Sequence, residues 1–329
     1  MAYKSEDIKK LNSIHLLNQL YPLQNATMAE LVSKTNFSQS SVRSILKDLE
    51  SKHILVMKTT DPSTGGRCPG RYTFVEDEFH ILSIFIDEGT VEVCLKDIFE
   101  QVLLREHWVC EMNEALKDKI LHIVDHYSIS CISIASSGVI EGDYFYTDQG
   151  EYMTRHDLVA KLKEELSIPI VIENDVKAMM MGIRLSQQET SLAYIYMSQT
   201  GVGSAYYTND HILRGHQSFS GELGLIPYQG KSINEWIACQ PSLEVLEDIY
   251  AFLLIHIAVT IDPQKVIMSG KTLPSLSIER IQEKARQYLS KRYQLNISIS
   301  LHPLEDGLNG LHYLGILKLF DLYTNYAGG

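Results

Sequence analysis

Apolar positions recur along this chain with two different periods, and the pattern changes near residue 75. Residues 8–20 predict a helix, with Leu11, Ile14 and Leu17 near one face, and Pro22 ends it. Thr27 and Glu30 form a capping-box signature for a short second helix that carries Leu31 inward. Asn36 and Phe37 read as a turn, and Ser38 as the cap of a third helix. There Val42, Ile45, Leu46 and Leu49 fall at i, i+3, i+4 and i+7, so one face is buried. Gln39, Ser40, Arg43, Ser44 and Lys47 occupy the opposite face. Residues 54–59 and 71–75 are β-prone, and they flank a Ser-Thr-Gly-Gly-Arg-Cys-Pro-Gly-Arg stretch over residues 63–71. Three helices followed by a glycine-tipped hairpin predict a winged helix-turn-helix over residues 1–76.

From residue 80 onward, β-prone runs alternate with helical ones. Residues 81–86 and 91–95 predict a strand pair, 117–127 a helix, and 130–135 a buried strand ending at Ser137-Gly138. A helix over 158–166 precedes a strand over 170–172, and 193–197 with 204–207 predict a hairpin. Residues 243–261 predict a long helix, followed by a strand over 266–268. This order predicts an α/β body of two lobes, 77–190 and 191–329, with a ligand cleft at the strand ends. No sequence repeat relates the lobes. The tail from Leu301, with Leu311, Leu314 and Leu317 apolar, predicts a docking helix that serves either an oligomer or the core.

Composition adds a polarity to this division. The chain of 329 residues carries a net charge of -12, yet residues 1–75 hold ten Lys/Arg against six Asp/Glu. A basic head on an acidic body turns the head toward nucleic acid and keeps the body off it. Hydrophobic residues at 45% and charged residues at 21% describe an ordinary globular protein with room for a sizeable core. Five scattered cysteines (Cys68, Cys94, Cys110, Cys131, Cys239) predict reduced thiols rather than a disulfide frame, and the first residues lack the apolar stretch of a signal peptide. No apolar run reaches the length a membrane span needs. Together these predict a cytoplasmic protein with no membrane partner.

The short, hydrogen-bonding side chains on the third helix suit close approach to a major groove. Gln39, Ser40 and Arg43 are expected at base edges, and Arg67 and Arg71 at the phosphate backbone or minor groove. Lys47 and Thr64 complete the expected DNA-binding set. A three-helix packing module without DNA would show a similar helical pattern; the paired arginines of the wing favour DNA.

Several ordered motifs give the chain a more specific likeness. Ser-Thr-Gly-Gly-Arg at 63–67, Ile172-Glu-Asn-Asp-Val-Lys-Ala178, Ser198-Gln-Thr-Gly-Val-Gly203, Leu213-Arg-Gly215 with Ser220-Gly-Glu-Leu-Gly224, and Val266-Ile-Met-Ser-Gly270 occur in this order. Over nearly its whole length the chain resembles the ROK family of repressors, open reading frames and sugar kinases, in its transcription-regulator branch. The resemblance implies a two-lobed sugar-kinase-like body of the actin-like ATPase/ribonuclease H-like type. It also implies a sugar site built from Asn174, Asp175, Glu222 and Glu235, near Ser137-Gly138. Carboxylates and an amide are the groups that sugar hydroxyls need. In a kinase of the family, the residue matching Asp175 would be the general base. Taken alone, Asn174-Asp175 equally suits a helix cap.

The same likeness exposes departures. The family's kinases carry Asp-x-Gly-Gly-Thr-Lys after the first strand, where this chain has Ile84-Phe-Ile-Asp-Glu-Gly-Thr-Val91. Aligned by strand, the aspartate becomes Phe85; with a one-residue gap it becomes Asp87, without the second glycine or the lysine. Carboxylates there repel phosphate. Leu225 stands where the family has a zinc-binding histidine that also contacts sugar, and the segment 227–235 has no cysteine. The expectation is therefore no zinc, no ATP and no catalytic residue. The expected function is a sugar-responsive repressor that binds double-stranded operator DNA as a homo-oligomer, dimer or tetramer. Two rivals remain at this level: a sugar kinase that acquired a DNA-binding head, and a constitutive DNA-binding scaffold with no ligand.

Overall fold

In the computed structural model, residues 5–58, 70–87, 89–148 and 153–325 are described. The head opens with α1 (Ser5–Leu20), followed by a single 3-10 turn over Tyr21–Leu23, strand β1 (Asn25–Thr27), α2 (Met28–Thr35) and α3 (Gln39–Ser51). Strands β2 (Leu55–Lys58) and β3 (Arg71–Phe74) pair antiparallel, and β1 adds to the other edge of β3. The Thr27–Glu30 capping box forms, and the Ser38 hydroxyl accepts the Ser41 N–H. Val42, Ile45, Leu46 and Leu49 are buried as the spacing predicts. The buried face of α1 differs from the expected one. Ser13, Leu16, Leu17 and Leu20 are buried, whereas Leu11 is 52% exposed. Ser13 can face the core because its hydroxyl donates to the Lys9 carbonyl at 2.9 Å.

The first lobe contains β4 (Ile81–Asp87), β5 (Thr90–Lys96), β6 (Val102–Val109), α4 (Glu114–His126) and β7 (Cys131–Ser136). A small meander of β8 (Val139–Glu141), β9 (Tyr144–Asp148) and β10 (Met153–His156) follows, then α5 (Leu158–Glu165), β11 (Ile170–Asn174) and α6 (Asp175–Arg184). Its main sheet has the order β11-β7-β4-β5-β6, with β4-β5-β6 antiparallel and β7 and β11 parallel to β4.

The second lobe contains β12 (Leu192–Met197), β13 (Val202–Thr208), β14 (His211–Ile212), β15 (Pro227–Tyr228), β16 (Lys231–Ser232), α7 (Ile233–Ala238) and α8 (Leu243–Thr260). It ends with β17 (Lys265–Gly270), α9 (Ile278–Arg286), β18 (Ile297–Ser300) and α10 (Pro303–Tyr323). Its main sheet runs β14-β13-β12-β17-β18, with β12-β13-β14 antiparallel and β17 and β18 following in parallel. The two lobes thus repeat one topology, although no sequence repeat betrays it.

Helices α4 and α5 cover the outer face of the first sheet, and α8 and α9 the outer face of the second. Helices α6 and α10 fill the space between the sheets. Each packs on the other lobe: α6 against β12 and β13, α10 against β4 and β7. The tail helix α10 is part of the core: it packs on strands of the first lobe and also joins a buried cluster with Tyr194 and Ile267 of the second. The crossing is close because both helices present glycine. A Cβ on Gly182 would collide with the Asp306 carbonyl, and one on Gly310 with the Ala178 carbonyl.

The far end of α10 enters the head. Ile316, Leu319 and Phe320 share one buried cluster with Leu16, Leu20, Leu46, Phe74 and Phe79. Phe320 stacks on Phe74 at 5.7 Å, and Lys10 pairs with Asp321 at 2.6 Å. Head and body are thus joined by continuous packing. Among the described residues, no helix is long and apolar enough to cross a membrane.

Candidate functional site

Ser137, Gly138, Asn174, Asp175, Glu222 and Glu235, far apart in sequence, line one interlobe cleft of about 560 Å³. The first lobe supplies the first four from the ends of β7 and β11. The second supplies Glu222 and Glu235 from either side of the β15–β16 hairpin. Gly221 is required beside Glu222: it lies at φ +104°, and any Cβ there would strike the Ser204 carbonyl.

Asn174 caps α6. Its Oδ1 accepts from Val176 and Lys177 N–H at 3.1 and 3.2 Å, and its Nδ2 donates to the Gly138 carbonyl at 3.1 Å. The capping role is therefore real, and it also fixes the start of the helix at the cleft wall. Asp175 accepts the Val176 N–H at 2.8 Å through one oxygen. Burial pushes its carboxyl up to about 7, with Asp87 and Glu222 adding in the same direction. Burial also raises Glu222 above the usual carboxylate range. Glu235 is held low by its bond from the Ser232 N–H, the second half of a capping box on α7.

Beside the cleft, Glu173, Lys177, Arg214 and Ser218 line a small recess that motif reading did not single out. Glu173 is 3% exposed and pairs with Arg214. Lys177 donates to the Ser218 carbonyl at 3.2 Å, and burial lowers its ammonium pKa. A lysine three residues after a glutamate-asparagine pair was the available signal.

Of the two residues that the alternative alignments put at the aspartate position, Asp87 lines the cleft and Phe85 does not. Phe85 is buried, its ring under Gly307 of α10. Glu88 lies outside the described residues. In the second loop, three successive N–H groups already have acceptors. Ser198 Oγ takes those of Thr200 and Gly201, both at 3.1 Å, and Asn234 Oδ1 takes that of Val202 at 3.0 Å. Asn234 was not foreseen. Its side chain is wedged where a Cβ on Gly201 or Gly224 would collide with it.

In the head, Gln39, Ser40, Arg43 and Lys47 are all exposed on the outer face of α3. Thr64 and Arg67 lie outside the described residues. Arg71 is turned to the head itself. It pairs with Glu30 at 3.0 Å and donates to Asn25 Oδ1 at 2.5 Å.

A basic-faced helix-turn-helix joined to a two-lobed, sugar-kinase-like α/β body defines the class. The sequence profile of the ROK family matches residues 83–240. It is 25% identical over 233 residues to the xylose repressor of Bacillus spizizenii; the match covers 66% of this chain and 60% of that repressor's own length, less than two thirds. Among solved structures, a ROK family transcriptional regulator, a homologue of the Escherichia coli Mlc protein, superposes with a TM-score of 0.75 at 16% identity, covering 96% of this chain and 98% of that one. A ROK family glucokinase from Streptomyces griseus, in complex with glucose and AMPPNP, superposes with a TM-score of 0.57 at 16% identity, covering 72% of this chain and 99% of that one.

Proposed function

We propose that this protein is a sugar-responsive transcriptional repressor whose body senses a sugar without phosphorylating it. The continuity of α10 carries the reading: one helix crosses α6, whose first turn holds Asn174 and Asp175, and ends inside the head's core. In this reading the exposed face of α3 meets operator DNA in a homo-oligomer. A sugar bridging Asn174 and Asp175 of one lobe to Glu222 and Glu235 of the other closes the cleft. Closure turns α6 against α10, moves the heads and changes DNA affinity, by a coupling of typically about 1–3 kcal/mol. The repressor name of the Bacillus relative supports this role.

Nucleotide chemistry does not fit the residues. The second loop's N–H groups are taken up by Ser198 and Asn234, and Asp87 adds a carboxylate where phosphates would lie. Structural zinc does not fit either. The hairpin at 227–235 packs by rings instead, with Tyr228 against Trp236 and Phe252 and the Trp236 Nε1–H donating to the Tyr228 carbonyl at 2.7 Å.

Fluorescence anisotropy of the full chain on DNA flanking its own gene, with a panel that includes xylose and glucose, tests the reading. Salt-sensitive binding altered by one sugar, and made indifferent to it by Asp175→Ala, is the expected result. Binding that no sugar changes would favour a constitutive scaffold. One observation favours the sugar-kinase reading: Asp175, with a carboxyl raised to about 7, has the character of a general base. Sugar-dependent ATP consumption in a coupled assay would establish that reading; its absence is expected.

A further inference from the structure

Resting on the sugar-site reading above, we infer that the cleft is built for a glycoside, a sugar carrying an uncharged apolar aglycone, in preference to the free or phosphorylated sugar. The cleft lining combines two chemistries. Asn174 and Asp175 of the first lobe and Glu222 of the second suit hydroxyl groups. The second-lobe side also presents a small apolar wall at Leu225 and Ala238. Leu225 is 47% exposed, although it lines a concave cleft rather than a convex surface. An apolar side chain held open to water in a cavity gains about 25 cal/mol per Å² once a ligand covers it, and ligand sites commonly combine such a surface with a few fixed polar groups.

The apolar wall is held rigidly. Asn234, at the start of the helix that bears Ala238, is locked between Gly224 and Gly201 and bonded to the Val202 N–H. Gly224 is the immediate neighbour of Leu225, so the same wedge fixes both apolar residues relative to Glu222 and Glu235. Charge disfavours an anionic substituent. Asp87, Asp175, Glu222 and Glu235 all line the cleft. The nearby cations are engaged in the adjoining recess, Arg214 with Glu173 and Lys177 with the Ser218 carbonyl. In the second loop, the N–H groups of Thr200, Gly201 and Val202 are already bonded and are not free to cradle a phosphate. The volume of about 560 Å³ also exceeds what one pyranose ring fills.

Isothermal titration of the full chain with D-xylose and D-glucose, each as the free sugar, the phenyl β-glycoside and the terminal phosphate, tests this. The expected result is a phenyl glycoside that binds at least about tenfold more tightly than its parent sugar, or about 1.4 kcal/mol, with the phosphate weakest. Leu225→His should bring the ratio of glycoside to parent affinity down to about one. Its exposure in the free protein makes misfolding a minor concern, and a thermal melt checks it. A parent sugar that binds as well as its glycoside, and that Asp175→Ala no longer binds, would overturn the aglycone inference and leave the sugar reading standing. A glycoside preference that survives Leu225→His would also overturn it. Silence from all six compounds would overturn both.

Discussion

Tyr21, which opens the 3-10 turn after the head's first helix, stacks on Tyr313 of the C-terminal helix with ring centroids 5.6 Å apart and planes 28° from parallel. The pair lies where head and body share one packed core. Tyr313→Ala removes a stacked ring, and the loss is expected to be about 2–4 kcal/mol. The variant should keep ligand-free DNA binding but lose at least half of any sugar-induced change in affinity. Anisotropy titrations with and without sugar, beside a thermal melt, measure both. A full sugar response in the folded variant would place the coupling elsewhere in the shared core.

Gly182 and Gly310 sit inside helices, where alanine normally stabilises by roughly 0.5–1 kcal/mol. Here the sign should reverse. Each glycine faces the backbone of the opposite helix, and a Cβ would collide with a carbonyl oxygen. Neither backbone can yield without opening the α6–α10 crossing. Gly182→Ala and Gly310→Ala are each expected to destabilise by about 1–3 kcal/mol, read as a lower denaturation midpoint. Stabilisation by either would show that the crossing relaxes freely.

Asp175 gives stability a pH dependence. Its carboxyl is raised from 3.8 to about 7 in the folded protein. Between those values the folded state keeps a proton that the unfolded chain has released, so stability falls as pH rises through this window and levels off above it. Asp87 and Glu222 push in the same direction, and Lys177 opposes them. Asp175→Asn keeps an acceptor for the Val176 N–H and cannot ionise. It should be more stable than the parent near pH 8 by up to about 4 kcal/mol, and the gap should shrink toward pH 4. Denaturant melts across this range check it; a gap independent of pH would contradict the buried-carboxyl account.

Arg71 already pairs with Glu30, whereas Arg43 and Lys47 face outward on α3. In a salt titration of DNA binding, Arg43→Ala or Lys47→Ala should each reduce the log–log slope by about 0.9 if the side chain meets a phosphate. Arg71→Ala should reduce it by less, while loosening the tie between β3, Asn25 and α2. A full unit lost on replacing Arg71 would mean that DNA draws its side chain away from Glu30.

Much of the head was legible because its signals are local. The Thr27–Glu30 box, the Ser38 cap and the i, i+3, i+4, i+7 series on α3 depend on neighbours within one or two turns. The Leu11 face of α1 misled because a buried serine can bond its own helix, which hydropathy does not register. In the body, the Asn-Asp and Gly-Glu motifs marked their side of the cleft. Asn234 stayed hidden because nothing in its neighbourhood reveals that it would be pinned between Gly201 and Gly224. The small meander and β6 were missed because short or half-exposed strands carry little alternation.

By itself the sequence determined the order of the longer elements, the basic head on an acidic body, and the presence of the cleft motifs. These follow from side-chain period, caps and charge, which are properties of short windows. Only the tertiary structure decided that α6 and α10 exchange lobes, that Asp87 rather than Phe85 faces the cleft, that Arg71 pairs with Glu30, and that α10 packs on α6 and ends in the head's core. Each depends on residues far apart in the chain meeting in space, and the steric and electrostatic energies of those meetings appear in no local pattern.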